Sequence, residues 1–196
     1  MIMKKVTLIL VLVFAVMVFF NPVTAQEKEY RAFGIGINVL DLTGLNAGSG
    51  STIYFPINVA RGFRLEPLLG FNTEATDYDD ENNESSYSDF LIGLGIFPTI
   101  RKGSAVIYVG GRFGIKFGSG EYTSPGDVTT EYSDFSFGIG PVLGGEYYFN
   151  PHLSLGGEMA IMYSSTVDKT DYEFGDEEDT RVNIETQGLV FVRFYF

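Results

Sequence analysis

From Tyr30 onward the chain repeats one pattern eight times: roughly ten residues of alternating apolar and polar side chains, then a polar connection. A period of two is the signature of a strand with two unlike faces, because successive side chains point to opposite sides. The pattern predicts strands near Tyr30–Asp41, Ser51–Ala60, Phe63–Glu74, Tyr87–Ile100, Ala105–Gly118, Glu131–Phe149, Leu153–Val167 and Arg181–Phe196. After the first 25 residues Leu-rich stretches are few. The 24 glycines, 18 phenylalanines and 12 tyrosines of the 196 residues also fit strands and turns better than helices.

The two faces differ in kind. One is almost wholly apolar, as in Ile107, Val109, Phe113, Ile115 and Phe117. The other carries Arg64, Glu66, Arg112, Lys116, Glu146, Glu158, Glu185 and Arg193, together with Asn38, Asn58, Asn72 and Gln187. Glycine pairs share that polar face: Gly34 and Gly36, Gly93 and Gly95, Gly138 and Gly140. In a soluble barrel the apolar face would fill the interior. Here it is too regular and too aromatic for a half-buried sheet, so it is placed against lipid and the charged face inside. Eight strands enclose a lumen just wide enough to be filled by side chains. Glycines on that face make room for Arg and Glu, and opposite charges in so narrow a space are expected to pair, since unpaired ones are costly.

The connections agree. Tight ones at Arg61-Gly62, Arg101-Lys102-Gly103 and Asn150-Pro151-His152 alternate with four long, polar, acidic ones. Short turns on one side and long loops on the other are the layout of barrels that cross the outer membrane of diderm bacteria. Phe63, Phe149 and Phe196 lie next to the tight turns on the apolar face. Phe71, Phe90, Phe117, Phe135 and Tyr163 lie nearer the long loops, where a second aromatic belt belongs. The predicted fold is all-β: an eight-stranded, antiparallel, up-and-down transmembrane β-barrel.

The first 25 residues read as an export signal. Lys4 and Lys5 precede an apolar run, Val6 to Phe20, and the small-residue exit Val23-Thr24-Ala25. The competing reading is a retained anchor, but the run is shorter than the ~20 residues a helical span needs. Residues 1–25 are assigned to the signal peptide and 26–196 to the barrel. Cleavage removes two lysines and no acid, which takes the formal charge from −12 to −14. A chain this acidic is not a general nucleic-acid binder. The absence of cysteine excludes disulfides and thiol nucleophiles.

The final residues Gln187-Gly188-Leu189-Val190-Phe191-Val192-Arg193-Phe194-Tyr195-Phe196 resemble the terminal assembly signal of outer-membrane barrels. The elements carrying the likeness are Gly188, Val190, Val192, Phe194 and the last residue, Phe196. Across the mature part the chain resembles the small eight-stranded outer-membrane barrels of the OmpA-barrel and OmpX kind. The stretch Gly144–Leu155 is similar to their periplasmic hairpins. The resemblance implies a monomer, exported across the inner membrane, inserted by the outer-membrane assembly machinery, and surrounded by outer-membrane lipids and lipopolysaccharide. It does not imply one activity, because the fold hosts several.

A catalytic reading finds little support. The single histidine, His152, falls in a predicted periplasmic turn without a nucleophile beside it. The glycine pairs lie in mid-strand with no helix following, unlike a phosphate-binding loop. Asp77, Asp79, Asp80, Glu81 and Glu84 crowd the second loop. Asp168, Asp171, Glu173, Asp176, Glu177, Glu178 and Asp179 crowd the fourth, with Lys169. Such runs self-repel and stay solvated. The spacing Asp77-Tyr78-Asp79-Asp80-Glu81-Asn82 lacks the glycine of a calcium-binding loop, and divalent ions bridging the acidic loops to lipopolysaccharide phosphates stay a hypothesis. No catalytic residue, cofactor or dedicated metal site is expected. The favoured reading is a structural or surface-interaction barrel with a plugged polar lumen and acidic outer loops. A small or gated pore is the alternative, and a lipid-modifying enzyme the disfavoured third.

Overall fold

In the computed structural model the alternation becomes nine strand segments: β1 (Gly34–Asp41), β2 (Ser51–Tyr54), β3 (Ile57–Ala60), β4 (Phe63–Tyr78), β5 (Asn83–Lys102), β6 (Ala105–Ser124), β7 (Val128–Asn150), β8 (Leu153–Tyr172) and β9 (Gly175–Tyr195). The structure describes residues 32–41, 51–78, 83–124, 128–172 and 175–196. The expected signal peptide, the loop at 42–50 and acidic positions 79–81 and 173 lie outside them.

Sequence neighbours pair antiparallel, and the sheet closes on itself. β1 pairs with β9 through partners such as Gly36↔Arg193, and β2 pairs with β4 from Ser51↔Phe71 to Tyr54↔Leu68. β3 also pairs with β4, as in Ile57↔Leu65, so β2 and β3 are halves of one barrel strand and the ring has eight. Closure removes the free edges that an open sheet would expose in lipid. The break falls at Phe55-Pro56, where proline has no N–H to give the ladder. The flanking groups are still satisfied: Phe55 N donates to Pro67 O at 2.8 Å, and Gly34 N donates to Pro56 O at 2.9 Å.

The first and third tight turns sit where expected, and the second falls at Gly103-Ser104, since Arg101 and Lys102 still pair within β5. Gly62 and Gly103 take φ of 80° and 60°, a left-handed conformation that a β-carbon would strain. At the third turn, Asn150 Oδ1 accepts from the backbone N–H groups of His152 and Leu153, at 2.8 and 2.9 Å.

The opposite end differs from expectation. Three of the long polar connections are largely strand: pairing continues to Tyr78↔Asn83, Ser124↔Val128 and Tyr172↔Gly175. The apolar face explains the discrepancy. Phe71, Phe90, Phe117 and Phe135 are successive register partners across β4 to β7, a slanting aromatic line on the outer surface. Beyond it the outward residues turn polar, as at Ser119, Glu121 and Thr123. Both faces then meet water, so the sheet continues while its amphipathic signal stops. From Phe117 to Ser124 the sheet gains about 18 Å of height, at ~3.3 Å per residue and ~40° tilt. Toward the turns the outward face stays apolar and exposed, for example at Val109, Leu143 and Ile161. The large polar side chains point inward, together with the rings of Tyr54, Phe97, Tyr108, Tyr148, Phe191 and Tyr195.

Candidate functional site

The inside of the barrel holds the densest chemistry. Arg64 and Arg193 are 1% exposed and Glu66 is wholly buried, with Glu146 and Glu158 at 4%. Burying charges so deeply requires partners. They form one chain, Arg64–Glu146–Arg193–Glu66–Arg112–Glu158, with three charges of each sign.

Glu146 on β7 is the hub. Its carboxylate accepts from Arg64 Nη2 at 2.5 Å, Arg193 Nη1 at 2.9 Å and the Tyr148 hydroxyl at 2.7 Å. The Tyr195 hydroxyl adds contacts at 3.2 Å and Ser154 Oγ one at 3.4 Å. Arg193 Nη2 lies 2.5 Å from Glu66 Oε2; the approach is off the hydrogen-bonding axis, but the distance is that of a tight ion pair. Arg112 joins Glu66 at 2.7 Å and Glu158 through both terminal nitrogens, and the Tyr108 hydroxyl donates to Glu158 at 3.0 Å.

Three guanidinium nitrogens, Arg64 Nη1, Arg112 Nε and Arg193 Nε, have no acceptor. Aromatic faces take that place, since a ring's negative face attracts a cation. The Arg193 guanidinium carbon lies 3.8 Å from the centre of the Phe191 ring. Arg112 lies 5.2 Å from Tyr54 and 5.6 Å from Phe97, and Arg64 5.5 Å from Tyr108.

Apolar groups pack around and between the charges. Val106, Tyr148 and Tyr195 cluster toward the tight turns. Phe97, Tyr108 and Phe191, the rings against the guanidiniums, join Val142, Ala160 and Met162 in a second cluster that extends toward the other end. Several of the inward glycines lie under these rings. A β-carbon on Gly144 would stand 2.2 Å from Tyr108 Cζ, and one on Gly156 would stand 2.3 Å from Phe191 Cζ. Gly36 lies under a charged chain, 2.7 Å from Arg193 Cγ, and Gly118 lies under Asp134, 2.8 Å from its Cγ.

Two of the sequence-derived lumen residues lie elsewhere. Lys116 is near the open end, where its Nζ meets Asp134 Oδ2 at 3.4 Å. Glu185 is also near the open end and accepts from Gln187 Nε2 at 2.6 Å. Parity along a strand fixes the face but not the height, and both residues stand above the apolar layer. Asp134 and the ring residues Tyr54, Phe97, Tyr108, Tyr148, Phe191 and Tyr195 are lumen groups the sequence reading missed. Tyr148 and Tyr195 sit inside wholly aromatic runs, Tyr147–Phe149 and Phe194–Phe196, where no alternation shows.

The C-terminal segment forms the closing seam. Val190, Val192 and Phe194 pair with Leu40, Ile37 and Ile35 of β1, and Gly188 pairs with Met159 of β8. The Phe196 ring stacks 6.0 Å from Phe33. His152 lies at the turn end, with Nδ1 2.8 Å from the Tyr195 carbonyl oxygen and its ring against Phe194.

Several solved structures are similar to the chain, and the first shares its fold. A major outer membrane protein from Thermus thermophilus is 16% identical, with 83% of this chain and 96% of that one covered and a TM-score of 0.54. The attachment invasion locus protein Ail of Yersinia pestis is 8% identical, with 83% and 93% covered and a TM-score of 0.45. CarO of Acinetobacter baumannii is 9% identical, with 87% and 100% covered and a TM-score of 0.41. No curated protein sequence matches. The family model for the outer membrane protein beta-barrel domain matches residues 8–186, so the chain belongs to that family and its place is the outer membrane of a Gram-negative bacterium.

Proposed function

We propose that the protein is a closed, non-enzymatic outer-membrane barrel whose working surface is the acidic sheet standing outside the membrane. The observation that carries this reading is the continuous chain of six paired charges, five of them buried, packed among apolar clusters. Opening a water path means separating ion pairs in a low-dielectric interior, which is costly. With the lumen filled, contact with the surroundings falls to the strands beyond the aromatic line. There Glu177, Glu178 and Asp179 are exposed on β9, and Glu121 and Glu131 face outward on β6 and β7. That surface suits contact with other surfaces or a contribution to envelope integrity. In this reading residues 1–25 are the export signal, residues 26–196 the mature monomer, Phe196 part of the assembly signal, and lipopolysaccharide the lateral neighbour.

Single-channel recording tests the proposal. Protein purified from outer membranes and inserted in a planar lipid bilayer is expected to give no unit conductance steps. Reproducible steps that change when Arg112 or Glu146 is replaced would overturn it in favour of a small pore. A mature mass other than that of residues 26–196 would overturn the export assignment.

A further inference from the structure

Above the apolar layer the interior opens again. A cavity of ≈ 450 Å³ lies among the inward side chains of β5 to β9, on the side away from the tight turns. Its walls include Tyr87, Lys116, Tyr132, Asp134, Asp168 and Arg181.

One wall is aromatic. Tyr87 and Tyr132 stack with ring centres 6.0 Å apart and planes within 9°. They come from β5 and β7, so they meet across β6. Glycines there give them room. A β-carbon on Gly118 would stand 2.3 Å from the Tyr87 hydroxyl, and one on Gly120 would stand 2.5 Å from that of Tyr132. Hydrogen bonds hold the rings: Tyr87 donates to Asp134 Oδ1 at 2.7 Å, and Tyr132 donates to the Ser86 carbonyl at 3.3 Å.

The remaining walls are charged but neutralised in pairs. Lys116 faces Asp134 at 3.4 Å and Arg181 faces Asp168 at 3.0 Å. Oδ2 of each aspartate is enclosed beside its cation, but the Asp168 side chain is still 29% exposed and can accept from a ligand. The Lys116 ammonium, with three donors, makes only contacts of 3.4 Å. Asn183 adds an amide.

A ligand here meets both signs of charge at short range. An anion is opposed by Asp134 and Asp168, and a cation by Lys116 and Arg181. The complement is a neutral molecule with many hydroxyls, each able to donate and accept, and a flat C–H face to lie on tyrosine rings. The volume falls in the range of small-molecule sites. We propose that this vestibule binds a neutral saccharide, stacked on the Tyr87–Tyr132 wall, with its hydroxyls shared among Asp168, Lys116 and Asn183.

The sugar can belong to the cell's own lipopolysaccharide or to a glycan from outside. Saturation-transfer NMR on detergent-solubilised protein from outer membranes tests the proposal, with methyl α-glucoside, N-acetylglucosamine and lactose as probes. Glucuronate and glucosamine serve as anionic and cationic counterparts. The neutral sugars are expected to bind, and Tyr132→Ala to weaken them about tenfold while the barrel still migrates as folded. No saturable binding at ~50 mM sugar, preference for a charged analogue, or equal binding by Tyr132→Ala would overturn it. Should Tyr132→Ala not fold, Asn183→Ala gives the same test with weakening expected. Lipopolysaccharide that co-purifies with the wild type and is lost from the variant identifies the cell's own sugar. Unchanged lipopolysaccharide with weakened free-sugar binding identifies an outside glycan.

Discussion

Glu66 on β4 and Arg112 on β6 occupy one register row two strands apart, with Gly95 of β5 between them, and their side chains meet across that glycine at 2.7 Å. Tyr108 and Glu158 repeat the arrangement over Gly144 at 3.0 Å. Neighbouring strands lie ~4.8 Å apart, so any side chain on the middle strand would stand in the gap. The glycine is what lets second-neighbour strands exchange hydrogen bonds. At Gly95 an added β-carbon would lie 2.4 Å from Phe97 Cε2, in a ring that is itself fully buried. Gly95→Val is therefore expected to cost about 2 kcal/mol, the scale of overpacking. Gly111→Ala is the control: it meets only ordinary contact at 3.7 Å and should stay within about 0.5 kcal/mol of wild type. Urea unfolding in detergent, followed by gel migration, measures both, and equal midpoints for the two would contradict the role of Gly95.

Glu146 receives hydrogen bonds from both Arg64 and Arg193, each of which is fully enclosed. Glu146→Ala leaves Arg64 without its carboxylate and Arg193 with Glu66 alone. The expected loss is about 3–5 kcal/mol, because an uncompensated buried charge is worse than a missing contact. Tyr148→Phe removes one donor from the same carboxylate and should cost about 1 kcal/mol. The same unfolding series separates them. A Glu146→Ala midpoint no lower than that of Tyr148→Phe would show that the charge chain contributes little.

The membrane part of the fold was legible because lipid imposes a strict rule: every second residue must be apolar, and Ile107 to Phe117 obeys it. The outer hairpins were not, because in water neither face of Ser119-Gly120-Glu121-Tyr122-Thr123 needs to be apolar. Face was legible for Arg64, Glu66, Arg112, Glu146, Glu158 and Arg193. Pairing was not, since it depends on register: Lys116 finds Asp134 and Glu185 finds Gln187. Tyr108 lies on the polar parity, opposite Gly144. An aromatic on that parity facing a glycine on the next strand was the available signal, but it is visible only once the strands are aligned.

The outward face of β7 places lipid and water on one strand. Leu143 is exposed, on the apolar stretch between Phe135 and Phe149, whereas Ser133 points the same way beyond Phe135. Leu143→Arg is expected to destabilise the barrel in phospholipid vesicles by about 2–4 kcal/mol. Ser133→Arg should change stability by less than about 0.5 kcal/mol. Comparable penalties would mean that the aromatic line does not mark the edge of the bilayer.

Phe196 separates folding from delivery. Its backbone N–H donates to the Phe33 carbonyl at 2.9 Å, which any residue would preserve. Its ring touches Phe33 and Phe194 at 6.0 and 5.2 Å but is 56% exposed, so little of it is buried by the barrel itself. Phe196→Ala should lower the stability of purified protein by no more than about 1 kcal/mol. If the ring is read by the assembly machinery, the same change should reduce the amount reaching the outer membrane several-fold. Quantifying the protein in outer-membrane fractions alongside urea unfolding distinguishes the two effects. Wild-type levels in the membrane would remove Phe196 from the assembly signal, whereas a stability loss large enough to explain the shortage would make its role structural.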